Sequence, residues 1–172
     1  DAELHRRIMD EVIHPTVRGL AEEGMPYLGF LYAGLMIDPQ GNPRVLEYNC
    51  RFGDPETQPI LMRMRSDLAG LCQAALNGEL DRFGIEWDPR FALGVVMVAD
   101  GYPGEYPRGD KISGLQDIRS DNIKVFHAGT RQESGQTVTD GGRVLCVTAL
   151  GATVNDAQRE AYAAVSTIHW PG

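Results

Sequence analysis

The sequence has little that suits a membrane, a disulfide framework or a polyanionic partner. No apolar run approaches the roughly 20 residues of a bilayer span, and the N-terminal stretch lacks the plan of a secretory signal. Three cysteines among 172 residues, an odd number without metal-ligand spacing, argue against a disulfide framework. Acidic residues outnumber basic ones by 24 to 16. We therefore expect a cytoplasmic protein with no nucleic-acid partner and no membrane partner.

The familiar nucleotide-binding and metal-binding patterns are also missing. Neither G-x-x-x-x-G-K-[ST] nor G-x-G-x-x-G occurs in the sequence. The histidines show no ligand spacing, and we interpret all four as structural: His5, His14, His127 and His169. Hydrophobic residues at 42% and charged residues at 23% are typical of a globular protein with a real core. Because helix-like sequence begins at the first residue without a start methionine, we expect the chain to be part of a longer protein.

The first half predicts helices around a hairpin. Apolar residues from 4 to 20 recur at helical spacing, with a kink or a new helix at Pro15 and a stop at Gly24. Two strands, 29–38 and 44–49, flank a Gly/Pro-rich turn and indicate an antiparallel hairpin. A helical pattern then runs over 57–80, with Ser66 or Asp67 capping a second segment.

The second half, after a connector at 81–90, predicts a small α+β module. We expect strands over 91–99, 124–129 and 143–150. We interpret the turn-dense residues 101–110 as a plain surface loop, with a substrate-side loop or an interface as the alternatives. Thr153 is predicted to cap a final helix whose inward-facing residues are Val154, Ala157, Ala161, Val165 and Ile168. The fold class is therefore α+β, with domains over 1–85 and 86–172.

Two polar side chains lie at the end of the second strand of the predicted hairpin. Glu47 and Asn49 are two residues apart, so they lie on the same face of the strand with Cα atoms roughly 7 Å apart. A carboxylate and an amide oxygen in that arrangement suit Mg²⁺, which takes its other ligands from water and substrate phosphates. The alternative is that they are the polar ends of a half-exposed strand. Arg51 adds a planar donor fork for phosphate or carboxylate.

The loop that follows places a glycine, a proline and two carboxylates close together. Asp54 and Glu56 are either solvated acids, partners that hold Arg51, or groups that bind an ammonium group or take its proton when an amine attacks. Gln58 is either a helix-start residue or a substrate contact. Cys50 faces away from Glu47, and we interpret it as a buried small residue.

These residues resemble a known family. The stretch LEYNCRFGDPETQ, residues 46–58, closely resembles the signature of the phosphoribosylamine–glycine ligases, which belong to the ATP-grasp superfamily. The segments GFLYAGLMID, SDL, LGVVM, GYPG, VFHAGT and GGRVLCVTALG are similar to that family in the same order. The resemblance covers nearly the whole chain.

The resemblance implies an enzyme of de novo purine synthesis that uses ATP with Mg²⁺ or Mn²⁺. ATP phosphorylates glycine, and the amine of 5-phosphoribosylamine attacks the glycyl phosphate to give glycinamide ribonucleotide, ADP and phosphate. Glu47 and Asn49 match the metal and nucleotide ligands, and Arg51 matches the catalytic arginine beside the transferred phosphate. Substrate contacts are expected from Arg51 together with Gly53, Asp54 and Glu56.

The resemblance also implies an organisation. Residues 1–85 would form the C-terminal part of an ATP-grasp domain, an antiparallel sheet with helices, and 86–172 a small α+β C-terminal domain. The rest of the enzyme, its N-terminal part, would be the missing partner, so we expect the isolated chain to be inactive. Many ATP-grasp enzymes carry a further acidic ligand thirteen residues before the glutamate, where this chain has Gly34. Two alternatives stay open, namely another ATP-grasp ligase and a non-catalytic binding or assembly module.

Overall fold

The computed structural model describes residues 2–171, which group by contact into two compact units. The first unit contains the residues up to Gly53 together with Cys72–Phe83, and the second contains Asp54–Leu71 and the residues from Gly84 onward. The domain boundary between residues 85 and 86 remains a prediction, because units defined by contact need not coincide with domains. None of the helices within 2–171 has the length and apolar character needed to cross a membrane.

Helices α1 (Ala2–Ile8) and α2 (His14–Glu22) of the first unit are joined by a π-helical turn, Met9–Ile13. This turn ends just before Pro15, which stands in the first turn of α2, where a missing N–H is tolerated. The predicted new helix at Pro15 is thus confirmed. The predicted stop is confirmed as well, since Gly24 takes the left-handed conformation with φ of 79° just beyond α2.

Strands β1 (Tyr32–Ile37) and β2 (Pro43–Asn49) form the predicted antiparallel hairpin. Its register pairs Gly34 with Glu47 and then Leu35 with Val45, so Leu46 is the extra residue of a β-bulge. The connecting turn is closed by Asp38, whose carboxylate accepts hydrogen bonds from the backbone N–H groups of residues 40 and 42.

The helical pattern over 57–80 forms two helices, α3 (Thr57–Arg63) and α4 (Leu68–Leu76). Asp67 caps α4, because its carboxylate accepts hydrogen bonds from the N–H groups of Ala69 and Gly70 at 3.3 and 2.7 Å. Ser66, the other predicted cap, instead accepts a hydrogen bond from the N–H of Glu86.

The second unit is built on a three-stranded antiparallel sheet in which β7 (Arg143–Gly151) lies between β3 (Phe91–Val98) and β4 (Ile123–His127). A separate hairpin of β5 (Thr130–Glu133) and β6 (Gln136–Thr139) was not predicted. Its strands have four residues each and are largely polar, so they carry no clear hydrophobic alternation.

Both faces of β7 are covered within this unit. Leu145 and Val147 are fully buried in one cluster with residues 164 and 168, which lie in and just after α5 (Val154–Val165). On the other face Pro59 of α3 packs against Gly94, beside the side chains of residues 146 and 148. The predicted α+β class is therefore confirmed, with helix, sheet and helix in layers.

The final helix begins as predicted. The Thr153 hydroxyl accepts a hydrogen bond from the N–H of Asp156 at 3.1 Å. Ala157, Ala161 and Ile168 are buried as expected. The prediction for Val154 is wrong, because this residue, the first of α5, is 52% exposed.

Candidate functional site

Three polar side chains form a row at the end of β2 in the first unit. The bulge at Leu46 precedes Glu47, and normal alternation then brings Glu47 and Asn49 to one face. The amide of Asn49 donates a hydrogen bond to the Glu47 carboxylate at 3.2 Å. Arg51 donates to the amide oxygen of Asn49 at 3.3 Å and to the carbonyl of Phe52 at 2.9 Å. The row therefore joins a carboxylate, an amide and a guanidinium.

The donor set of this row fits a hard divalent cation. The Glu47 carboxylate is exposed, and the Asn49 amide oxygen lies beside it. Oxygen donors in so small a number leave coordination positions for water and phosphate, the arrangement that Mg²⁺ favours. Within residues 2–171 no three His, Cys, Asp or Glu side chains group together as a metal site.

Gly34 stands directly opposite Glu47 across the hairpin. A Cβ added at Gly34 would lie 3.1 Å from Cγ of Glu47, closer than ordinary packing allows. The position where many ATP-grasp enzymes would carry an acid therefore does lie beside the row. In this chain it leaves room for the Glu47 side chain instead.

The residues that flank the row are held by aromatic packing. The ring of Phe52 stacks on Phe30 with centroids 4.0 Å apart, which fixes the chain just after Arg51. Cys50 is exposed, so the interpretation of it as a buried residue is wrong: β2 is exposed along most of its length. Burial and a hydrogen bond with Cys50 raise the pKa of the Tyr27 hydroxyl.

The signature loop continues through Gly53, which is buried in the first unit, and Asp54, which belongs to the second. Within the second unit Asp54 pairs with Arg143, a residue that the sequence did not single out. Arg143 Nη1 lies 3.0 Å from Oδ1 of Asp54 and 3.2 Å from its backbone carbonyl oxygen. Local sequence patterns cannot predict this pair, because Asp54 and Arg143 are 89 residues apart.

Glu56 and Gln58 differ from Asp54 in their surroundings. Glu56 is exposed at the start of α3, and within residues 2–171 its side chain makes no hydrogen bond or ion pair. Gln58 has a buried side-chain oxygen without a hydrogen-bond donor in the same part of the chain. A buried acceptor of this kind is costly to leave unpaired, which favours the interpretation of Gln58 as a contact for a bound group.

Residues 101–110 form a largely exposed loop, and two tyrosines of this loop also contact the rest of the second unit. The hydroxyl of Tyr102 accepts a hydrogen bond from Nε of Arg143 at 3.0 Å, and the rings of Tyr102 and Tyr106 lie 6.3 Å apart. Both tyrosines are half-buried. The loop thus packs against the arginine that holds Asp54.

Comparison with known proteins identifies two domains of one family. Residues 1–57 match the phosphoribosylglycinamide synthetase ATP-grasp (A) domain. Residues 92–172 match the phosphoribosylglycinamide synthetase C domain. The two matches follow the order of the two sequence halves described above.

Curated relatives share much of the sequence. The phosphoribosylamine–glycine ligase of Vibrio parahaemolyticus is 60% identical over 170 residues, which cover 99% of this chain and 40% of the relative. The ligase of the same name from Escherichia coli K12 is 60% identical over 169 residues, which cover 98% and 39%. The chain thus spans about 40% of the length of the curated relatives it matches.

Solved structures share the fold. The crystal structure of a phosphoribosylamine–glycine ligase from Thermotoga maritima matches all of this chain and 42% of its own length, with a TM-score of 0.80 and 36% identity. An L-amino acid ligase from Bacillus licheniformis matches 99% of this chain with a TM-score of 0.62. At 17% identity the second match shows similarity of fold alone.

Proposed function

The chain belongs to the phosphoribosylglycinamide synthetase family, and from this premise we propose that it supplies part of the active site of a ligase. The reaction joins glycine to 5-phosphoribosylamine at the expense of ATP and gives glycinamide ribonucleotide, ADP and phosphate. The observation that carries the proposal is the row of Glu47, Asn49 and Arg51 at the end of β2. The relatives named phosphoribosylamine–glycine ligase support it.

The chemistry explains why such a row is needed. An amine does not displace an oxide ion from a carboxylate at a useful rate, so the carboxylate must first gain a better leaving group. Transfer of a phosphoryl group from ATP supplies one. The protein then has to position the reactants and to neutralise the charge that gathers on the phosphate.

Glu47 and Asn49 are the residues that would hold the divalent cation, Mg²⁺ or Mn²⁺. Their oxygen atoms share one face of β2 and suit a hard ion. When bound, the ion would supply charge neutralisation at the phosphates of ATP. Asn49 would then turn its amide oxygen from Arg51 toward the ion.

Arg51 is proposed to stabilise the transferred phosphoryl group. Its guanidinium is exposed and lies beside Asn49 at 3.3 Å, so it can reach a phosphate held by the same row. The planar fork can donate two parallel hydrogen bonds to phosphate oxygens, which a lysine ammonium cannot do. Arg51 would bind the phosphoryl group first during its transfer from ATP and then as part of the glycyl phosphate.

Gly53, Asp54 and Glu56 are proposed to contact the substrates. Gly53 has no side chain, so it would offer only its backbone to a bound group. The carboxylates of Asp54 and Glu56 are exposed and can attract an ammonium group or an attacking amine.

A cytoplasmic location of the protein remains part of the proposal.

ADP release by a full-length ligase that carries this sequence tests the proposal. Glycine and 5-phosphoribosylamine are supplied separately and together, with Mg·ATP in excess. We expect sustained release only when both are present. Release that requires neither substrate, or that requires a different carboxylic acid, would contradict the glycine assignment.

Replacement of Asn49 tests the metal site. We expect Asn49→Ala to weaken use of Mg·ATP by at least about tenfold, because even residues that only support a metal ligand cost 10- to 100-fold when removed. The rate is measured against Mg²⁺ concentration at fixed ATP. Asn77→Ala, at an exposed asparagine of the same unit, serves as the matched control. An unchanged Mg²⁺ dependence in the Asn49 variant would remove this residue from the site.

A further inference from the structure

We propose that Arg143 is a positioning residue for Asp54 and that Tyr102 holds Arg143 in place for this task. The pair fixes one carboxylate oxygen of Asp54 and leaves the other, Oδ2, to bind the amine of a substrate. Asp54 is then an amine-binding group, and the proton of the attacking amine goes elsewhere. The inference rests on the proposed function, which makes amine binding necessary.

The contact between Arg143 and Asp54 involves both the side chain and the backbone of the aspartate. One guanidinium nitrogen, Nη1, lies 3.0 Å from Oδ1 and donates to the backbone carbonyl oxygen at 3.2 Å. A carboxylate held only through its side chain would still rotate with the loop. Holding the carbonyl as well fixes the backbone from which the carboxylate extends.

Arg143 is itself anchored from both ends. It is the first residue of β7, whose remaining residues are all buried, so the base of its side chain cannot move far. At the other end Nε donates to the Tyr102 hydroxyl at 3.0 Å, and the guanidinium carbon lies 5.9 Å from the centre of the Tyr102 ring. These contacts, first with Tyr102 and then with Asp54, raise the pKa of Arg143.

The neighbouring glycine explains how Tyr102 comes so close. A Cβ at Gly142 would clash with the Tyr102 ring and would lie 3.0 Å from Cε1 of Tyr106. The glycine before Arg143 therefore makes room for the two tyrosines of the 101–110 loop. The 101–110 loop packs against Gly142 and Arg143, and Arg143 in turn contacts Asp54.

Stability alone does not account for this arrangement. The side chains of Arg143 and Asp54 are 40% and 63% exposed, and ion pairs so close to solvent contribute little to folding. The exposed carboxylate has a second oxygen to which the structure assigns no protein donor within residues 2–171. An ionised carboxylate accepts hydrogen bonds at both oxygens, so Oδ2 suits an ammonium or amine.

The same geometry separates the roles of the two acids in the loop. The guanidinium of Arg143 holds Oδ1 of Asp54 at 3.0 Å, which suits a group that binds a substrate in a fixed position. Glu56 has no such partner in the described part of the chain. Glu56 is therefore the better candidate to take the proton when the amine attacks.

The test measures kcat and KM in a full-length ligase that carries this sequence, with glycine and 5-phosphoribosylamine varied in turn. We expect Arg143→Gln to raise the KM for one of them, the substrate whose amine Asp54 binds, by about tenfold. The KM for ATP should stay unchanged. Arg143→Lys should recover only part of the loss, because an ammonium cannot hold the side chain and the backbone of Asp54 together.

A double-mutant cycle shows whether Arg143 acts through Asp54. Asp54→Asn should raise the KM for the same substrate, and adding Arg143→Gln to it should cause little further change. Tyr102→Phe removes a single oxygen and should shift that KM in the same direction by a smaller factor. Arg159→Gln, which breaks an exposed ion pair with Asp156 elsewhere in the second unit, is the matched control and should change no KM.

Suppose that ADP release by the parent enzyme requires both substrates, so that the proposed function stands. Three results would then overturn the inference about Arg143. They are an unchanged KM for both amines in Arg143→Gln, independent and additive effects in the double variant, and a rise in the KM for ATP alone. If Arg143→Gln does not fold, the Tyr102→Phe variant decides by the same criterion. If the parent enzyme needs neither amine, the proposed function itself fails.

Discussion

Strands β7 and β2 differ most in what surrounds them. Every residue of β7 from Val144 to Gly151 is buried, because the strand lies between two others and has a helix on each face. Strand β2 pairs with β1 alone in the part of the chain described, and the five residues from Arg44 to Tyr48 are all exposed.

This contrast separates stability from binding. Side chains that are removed from water stabilise the fold, whereas an exposed row of polar side chains on a strand is available to a ligand. Glu47, Asn49 and Arg51 lie on or just after the exposed strand. In the second unit Arg143 stands at the start of the buried strand and presents its guanidinium to Asp54.

The largest effect on activity is expected for Arg51→Lys. We expect a loss of about 100-fold in turnover, comparable to removing a preorganised donor from a charged transition state. Stability should change by less than about 0.5 kcal/mol, because the side chain is exposed. Arg44→Lys, on the same exposed strand, is the control. Near-normal turnover of Arg51→Lys would show that the role is misassigned and would break the contrast.

The largest effect on stability is expected for Leu145→Ala in the buried strand. Leu145 has no exposed surface, so the variant leaves a cavity and should lower the free energy of unfolding by about 2–5 kcal/mol. Leu46→Ala is the matched change in β2, where the side chain is 66% exposed, and should stay within about 0.5 kcal/mol. Urea unfolding of the 172-residue chain measures both. Equal losses would contradict the comparison.

A buried carboxylate of the second unit sharpens the comparison through pH. Hydrogen bonds from the side chain and then the backbone N–H of Arg90, followed by one from Arg65, lower the pKa of Asp88 well below its ordinary value. The charged form therefore stabilises the fold at pH values above about 3.9, the usual pKa of an aspartate, and this stabilisation is lost as pH falls below that value.

Asp88→Asn should accordingly destabilise the protein at neutral pH, and the difference from the parent should shrink below about pH 4. Thermal unfolding recorded across the acid range checks this. Asp121→Asn, at an exposed position of the same unit, is the control. A difference that stays constant from pH 7 to pH 3 would show that Asp88 acts through its shape and not through its charge.

The smallest effect is expected at the start of α5. Thr153→Ala removes the hydroxyl that accepts from the N–H of Asp156, so unfolding should become easier by about 0.5–2 kcal/mol. Thr153→Ser keeps the hydroxyl oxygen, so its free energy of unfolding should fall much less. If the free energy of unfolding falls by the same amount in both variants, the methyl group of Thr153 contributes more to stability than the capping hydrogen bond.

Local patterns in the sequence predicted the parts of the fold that depend on neighbours along the chain. The turn-rich 39–43 segment predicted the hairpin, and alternation placed Glu47 beside Asn49. The polar hairpin of β5 and β6 was missed because four-residue strands without apolar alternation look like loop. Cys50 was misjudged because alternation predicts the face of a side chain but not what covers that face.

Local sequence patterns did not predict the contacts between residues that are far apart in the chain. Asp54 and Arg143 are 89 residues apart in the sequence and meet only in the tertiary structure, where Arg143 also contacts Tyr102 of the 101–110 loop. Composition and turn chemistry describe each segment alone, so they indicated only a surface loop at 101–110. Glu47 and Asn49 were therefore predictable from the pattern of their own strand, whereas the pair of Asp54 and Arg143 was not.

Transfer of oxygen from glycine to phosphate tests the central claim most directly. Phosphorylation of glycine labelled with oxygen-18 in both carboxylate positions puts one labelled oxygen between carbon and phosphorus. Attack by the amine then breaks the carbon–oxygen bond, so this oxygen leaves with the phosphate and the other stays in the amide. We expect a single labelled oxygen in each phosphate that a full-length ligase carrying this sequence releases. Phosphate without label would mean that the phosphoryl group goes to water, and would contradict the account.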